Sequence, residues 1–377
     1  MRVAFVAAEC EPWAKTGGLG DVVDALARAL GRIPDGPDAP VDVFLPRYRS
    51  VPVPADTPVT RRLRVPDPLS PSGLTEVGLI EFETHGYRLR LVDHPPAFER
   101  EGYYGDGTGD YPDNAWRFGL FCRAALEALA AEDRPVDVLH LHDWHTAAAA
   151  ILRQTVYRDD PTIGRAAILL TIHNLAFHGW TPAEDLRQLG LAPGDGFVAP
   201  DADGLDLLRS GIELAELVNA VSPTFAAEAR TRAFGMGLGR VLRAKGDRFA
   251  GILNGIDPVL WDPATDPVIA TRYSRDGLAG KAACRADLLE RLGFDAADPA
   301  PLLGLIGRLD PQKGFDILAA AAPGLLERGA RLVVQHSGLS GGARARDWLL
   351  AQKDEAQIVL GTRLAVFTPL PRLRLIV

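Results

Sequence analysis

A chain of 377 residues is long enough for two domains, each with its own core. Its 47% apolar and 24% charged residues are those of a globular protein, and no apolar run approaches the roughly 18 residues of a membrane span. The net charge of −8 argues against a general nucleic-acid binder, and Cys10, Cys122 and Cys284, with no Cys-x-x-Cys pair, predict neither a disulfide scaffold nor a zinc site and fit a reducing cytoplasm.

Met1-Arg2 runs straight into apolar residues 3–8, with Glu9 and Glu11 close behind, so the start reads as a first core strand and not as a secretory leader. The helix that follows places Val22, Leu26 and Ala29/Leu30 on one face. Residues 41–45 form a second strand, and the Pro-rich stretch 51–71 reads as a loop or sheet edge. Residues 77–82 and 87–92 pair around a His85-Gly86 turn. A helix over 115–131, a strand over 136–141, a helix over 146–157 and strands over 167–172 and 217–221 follow. A change near residues 245–255 divides the chain into domains 1–245 and 246–377. The second contains a helix over 281–292, a strand over 302–306, a helix from Phe315 and a strand over 331–335. Alternating strands and helices predict an α/β fold with parallel sheets, and ligands of such sheets bind at the carboxyl ends of the strands.

Polar clusters fall at those ends. Lys15-Thr16-Gly17-Gly18-Leu19-Gly20-Asp21 joins the first strand to a helix amino terminus. Bare Gly17 and Gly18 let backbone amides approach an anion, and Lys15 adds a full charge. Asp21 either caps its helix or faces an acceptor. Arg308 and Lys313, with Gln312 between them, can neutralise a departing diphosphate; the competing reading is a solvated loop with an Asp310 salt bridge. Asp143 can grip a sugar hydroxyl, although alone it reads more readily as the N-cap of the next helix. His140, His142 and His145 give little support to a metal, and none is predicted. His173-Asn174 suits sugar hydroxyls or a turn, Asn254-Gly255 is a common turn signal, and Tyr103-Tyr104 and 113–117 offer stacking and hydrogen-bonding groups.

In this order the stretches 15–21, 111–118, 142–145, 171–175, 221–223, 252–257 and Gly307-Arg308-Leu309-Asp310-Pro311-Gln312-Lys313-Gly314 resemble the ADP-glucose-type glucan synthases, bacterial glycogen synthase and plant starch synthase. The resemblance implies two Rossmann-like domains facing across a cleft (the GT-B arrangement) in a cytoplasmic enzyme. It would transfer glucose from ADP-glucose to the non-reducing end of an α-1,4-glucan such as glycogen, with retention of configuration and no metal or other cofactor. Lys15, Gly17 and Gly18 would meet the diphosphate and sugar, and Arg308 and Lys313, beside Gln312, the leaving diphosphate. Asp21, Tyr104, Asp143, His173, Asn174 and Asn254 would line the glucose and acceptor side. Membrane and nucleic-acid partners are not implied.

After about residue 337 the resemblance ends. The family's later Glu-x-x-x-Pro-Cys-Gly stretch and second Gly-Gly-Leu are not in the sequence. Residues 254–377 are also fewer than the roughly 150 to 200 of a complete second domain. The expectation is an incomplete second domain from a frameshifted or truncated gene. The alternatives to a working synthase are a catalytically defective glucan-binding remnant and a transferase of the same fold using another nucleotide sugar.

Overall fold

The computed structural model describes residues 1–33, 40–53, 57–106, 108–190, 203–307, 311–336, 358–359 and 375–376. Two units emerge, Met1–Gly255 and Ile256–Val377. The last strand of the first sheet spans 249–251, and this division falls at the far end of the stretch 245–255 in which the sequence changes.

The strands of the first unit are β1 (Val3–Val6), β2 (Val41–Pro46), β3 (Arg61–Pro66), β4 (Leu74–Thr84), β5 (Tyr87–Asp93), β6 (Val138–His142), β7 (Ala167–Ile172), β8 (Trp180–Pro182), β9 (Gly204–Asp206), β10 (Leu217–Ala220) and β11 (Phe249–Gly251). Its helices are α1 (Gly18–Leu30), α2 (Pro95–Phe98), α3 (Asn114–Ala130), α4 (Trp144–Thr155), α5 (Leu207–Leu214), α6 (Pro223–Ala229) and α7 (Gly239–Ala244). Nine strands form one sheet in the order β11-β10-β7-β6-β1-β2-β5-β4-β3, and β8 pairs separately with β9. Pairing is parallel from β11 to β5 and antiparallel for β4 and β3. The apolar runs of β1 and β2 are buried throughout, as expected of strands covered on both faces.

Within the Pro-rich stretch, β3 is the sheet edge, and exposed Arg62 and Arg64 blunt it against further pairing. The His85-Gly86 hairpin is as expected. Both residues have positive φ (46° and 90°), which a two-residue turn between twisted strands requires. One helix face differs from expectation. α1 buries Leu19, Val23 and Ala27, with Leu26 and Leu30 partly covered and Ala29 exposed. Both apolar stripes share helical spacing, and the sheet selects the one one residue further on.

From β1 the chain passes to β2 and β5 on one side, then returns to β6 on the other. The sheet therefore changes direction between β1 and β6, where open α/β sheets leave a crevice for ligands.

The second unit holds α8 (Ala279–Arg291), β12 (Leu302–Gly307), α9 (Phe315–Glu327) and β13 (Arg331–His336), with β12 parallel to β13. The short strands β14 (Ile358–Val359) and β15 (Leu375–Ile376) continue this sheet in the order β12-β13-β15-β14. Past residue 337, where the resemblance ends, these two short strands are the described structure. The other residues of 337–377 lie outside the described ones. No described helix is long and apolar enough to cross a membrane.

Candidate active site

Register places the carboxyl ends of β1, β6 and β7 side by side, because Val6 pairs with Leu141 and His142 with Thr171. The segments beginning at Ala7, Asp143 and His173 therefore leave the sheet together at the switch point.

After β1, the side chain of Glu9 turns back under the glycine loop. Its Oε2 accepts from the N–H groups of Thr16 (2.6 Å) and Gly17 (3.1 Å), and its Oε1 accepts from the hydroxyls of Thr16 (2.6 Å) and Tyr104 (2.7 Å). The Gly17 amide thus already has an acceptor, contrary to its expected role as an anion donor. The donors still offered to a ligand begin at Gly18, the first residue of α1, where no side chain caps the helix. A Cβ at Gly17 or Gly18 would meet nothing within 4 Å, and the φ of Gly17 (−159°) is open to any residue. Neither packing nor a positive φ calls for these glycines, and the space in front of them is open. Gly20 differs, since its Cβ would lie 3.3 Å from the Ala14 carbonyl.

Lys15 Nζ lies 2.6 Å from Asp21 Oδ1 and 3.6 Å from Glu11 Oε2. Partial burial opposes its charge, but the Asp21 hydrogen bond and the two carboxylates outweigh it and hold the ammonium above its ordinary pKa. Asp21 is therefore the partner of Lys15 and not the cap of α1.

Asp143 sits between β6 and α4 with φ 56° and ψ −173°, a region that residues other than glycine occupy at a cost of about 1–3 kcal/mol. It precedes α4 but its side chain does not cap it. No side chain caps α4; Thr146, in its first turn, points back to β6, with Oγ1 accepting from the His142 N–H and donating to the His142 carbonyl. The Asp143 carboxylate instead crosses to β7, where Oδ1 accepts from the N–H groups of His173 (2.7 Å) and Asn174 (3.4 Å). The cap reading favoured by sequence fails because the strained backbone aims the side chain sideways. Burial pushes its pKa up to about 7; the two amides oppose the shift and the nearby negative charge of Glu9 adds to it.

His140 and His142 are buried and stacked, His173 lies tilted against His142, and His145 sits apart from them. His140 Nε2 lies 2.7 Å from Thr171 Oγ1, which donates to Asn219, so the imidazole carries its proton on Nε2. His142 Nδ1 is 3.1 Å from His173 Nε2, and His145 lies against Tyr104 and Trp144. Burial lowers the pKa of all four, to about 3 for His140 and His145, to about 4 for His173, and well below the usual value for His142. They are neutral rings at neutral pH.

Around Arg117 the motif is structural. Its guanidinium is fully buried and donates to the Ala97 carbonyl (2.6 Å), Asn114 Oδ1 (2.6 Å) and the Tyr103 carbonyl (3.0 Å). Asn114 Nδ2 donates to the Tyr104 carbonyl, and Asp113 pairs with Arg100. These bonds hold Tyr103 and Tyr104 against α3.

Lys15, Gly17, Gly18, Asp21, Tyr104, Asp143, His173 and Asn174 thus gather at the ends of β1, β6 and β7. Asn254 is exposed on the segment after β11, three strands along from β6. In the second unit, Gln312 and Lys313 are exposed on a single turn before α9, and a Cβ at Gly307 would lie 3.6 Å from Lys313 Cγ. Gly314 opens α9 at φ 70°. Arg308 lies outside the described residues. Glu9 carries no mark in the sequence beyond an acid following a buried strand.

The family model of the starch synthase catalytic domain matches residues 2–244. The glycogen synthase of Koribacter versatilis is 38% identical over 343 residues, covering 90% of this chain and 69% of that protein. That of Dechloromonas aromatica is 40% identical over 350 residues, covering 90% and 68%. The catalytic domain of starch synthase IV from Arabidopsis thaliana, solved with ADP and acarbose, superposes with a TM-score of 0.79 at 31% identity, covering all of this chain and 74% of that one. The chain is therefore a glycosyltransferase of the starch synthase catalytic-domain family, to which bacterial glycogen synthases belong.

Proposed function

We propose that the chain transfers the glucosyl group of ADP-glucose to the non-reducing end of an α-1,4-glucan, with retention, as a cytoplasmic glycogen synthase without a metal or other cofactor. One observation carries this reading: an unobstructed glycine loop, braced from beneath by Glu9, stands beside a strained, buried Asp143 at the sheet's switch point. The names of the relatives, and the ADP and acarbose bound to the starch synthase IV domain, support the substrate classes.

The amides from Gly18 onward and the Lys15 ammonium suit a nucleotide diphosphate and its sugar. The departing diphosphate gathers negative charge in the transition state, which Arg308 and Lys313 stabilise with Gln312 beside them. Tyr104, Asp143, His173, Asn174 and Asn254 face the glucose and acceptor, and Asp21 sets the position of Lys15. Asp143 holds the His173-Asn174 backbone through Oδ1, while the neutral His173 ring offers a hydrogen bond and no charge.

The test is incubation of purified chain with glycogen and ADP-, UDP- or GDP-glucose. ADP release with chain extension, fastest with ADP-glucose, is expected. Preference for another nucleotide overturns the donor assignment. Glycogen binding without ADP release identifies the chain as a glucan-binding remnant.

A further inference from the structure

We propose that Glu9 is a positioning residue, the internal brace that fixes the Lys15–Gly18 loop and locks it to Tyr104; the proposal builds on the glucosyl-transfer reading above.

A loop containing two adjacent glycines is conformationally permissive, and ordering it costs more entropy than ordering any other residue type. Packing cannot supply the restraint here, because the positions where Gly17 and Gly18 would carry a Cβ are open. Glu9 supplies it from inside. The residue is 4% exposed, and its two carboxylate oxygens take four donors from two distant segments: Thr16 twice, Gly17 once and Tyr104 once. Charge-assisted bonds of this kind are roughly twice as strong as neutral ones.

Two consequences follow from the geometry. With the amides of Thr16 and Gly17 bonded to Glu9, the donors left without a side-chain cap are those at the start of α1. Because Tyr104 shares Oε1 with the Thr16 hydroxyl, the phosphate-facing loop and the aromatic segment at residues 103–104 hold one relative position. Asp143 also feels the charge of Glu9, which contributes to keeping its carboxyl protonated to higher pH.

The experiment compares Glu9→Ala and Glu9→Gln in the full chain by two readouts. These are steady-state kinetics with ADP-glucose and glycogen, and backbone amide hydrogen exchange over residues 15–18 without ligand. Glutamine can serve the same four partners, its oxygen facing the two N–H groups and its NH2 donating to the two hydroxyl oxygens. The expected result for Glu9→Ala is about a tenfold rise in both the ADP-glucose KM and the exchange rate at Thr16 and Gly17, with the glycogen KM within about twofold; Glu9→Gln returns both to within about threefold of the parent. Thr16→Val removes one partner without touching the carboxylate, and about a threefold rise in the same KM is expected, which keeps the test open should Glu9→Ala not fold. Unchanged exchange and KM in Glu9→Ala overturn the proposal, as does a Glu9→Gln enzyme no better than Glu9→Ala. A parent chain that does not use ADP-glucose defeats the functional reading instead, while the exchange measurement still decides the role of Glu9.

Discussion

In residues 1–255 one apolar cluster extends from Val3 to Phe249. In residues 256–377 the described cluster consists of Ala322, Leu332 and Val334, with Leu305, Phe315, Leu318 and Leu326 partly covered. An apolar hollow of about 410 Å3 lies between β12 and α9, lined by Leu303, Leu305, Ile317 and Leu318 among others. The polar residues follow the same division. In the first unit Glu9, Arg117 and Asp143 are buried, and each fixes a backbone segment through named hydrogen bonds. In the second, Lys313 and Gln312 stand on an exposed turn. A well-packed core can hold a side chain in a strained or desolvated state because its surroundings over-determine it. An exposed turn can only present a charge. Substitutions in the first unit should therefore act through position, and those in the second through charge.

The largest expected effect tests the first half of that contrast. Arg117→Ala leaves two carbonyls and Asn114 Oδ1 without their donor and should destabilise the fold by about 3–5 kcal/mol in urea titration. A loss under about 1 kcal/mol would mean that Arg117 does not brace the 97–104 segment.

Lys313→Ala tests the second half. It should lower kcat on the order of 100-fold while leaving the melting temperature unchanged, because only charge in the transition state is lost. A falling melting temperature with unaffected kcat would place Lys313 in the packing instead.

Acid titration of stability probes His140, His142, His145 and His173. Each ring is neutral in the fold but binds a proton when unfolded below about pH 6.5. The stability this contributes is complete above that pH and is lost as pH falls toward the folded values of about 3 to 4. At pH 5 each histidine should cost about 2 kcal/mol. Asp143 acts in the opposite sense. Its raised pKa means that the fold keeps a proton the unfolded chain releases, so its contribution improves as pH falls from about 7 and offsets little more than one histidine. Net destabilisation between pH 7 and 5, followed by thermal melting, is expected; a flat profile would contradict the neutral rings.

The last contrast is between two apolar residues, and its smaller half is the smallest change expected. Ile306, 75% exposed in the second unit, should tolerate alanine within about 0.5 kcal/mol. Leu141→Ala, at a fully buried site in the first, should cost about 2–5 kcal/mol.

Much of this was legible in the sequence, because buried parallel strands leave continuous apolar runs and their polar ends mark the ligand side. Strands β2, β6, β7 and β10 fall within two residues of expectation. What escaped depends on pairs distant in sequence. Glu9 and Tyr104 are 95 positions apart, and nothing local ties an acid after a strand to a tyrosine in a later loop. Asp143 at the head of a helix looks like a cap, and only its positive φ reveals that it reaches across to β7. The inner face of α1 was ambiguous because two apolar stripes fit its period.

Glucosyl transfer at the polar groups that end β1, β6 and β7 can be measured directly. The most direct test follows radiolabelled glucose from ADP-glucose into glycogen, with ADP release measured in parallel, for the parent chain and Asp143→Ala. One ADP released for each glucose incorporated is expected, with a rate about 100-fold lower in Asp143→Ala and glycogen still bound. Equal rates in the two proteins, or no incorporation by the parent chain, would contradict transfer at these groups.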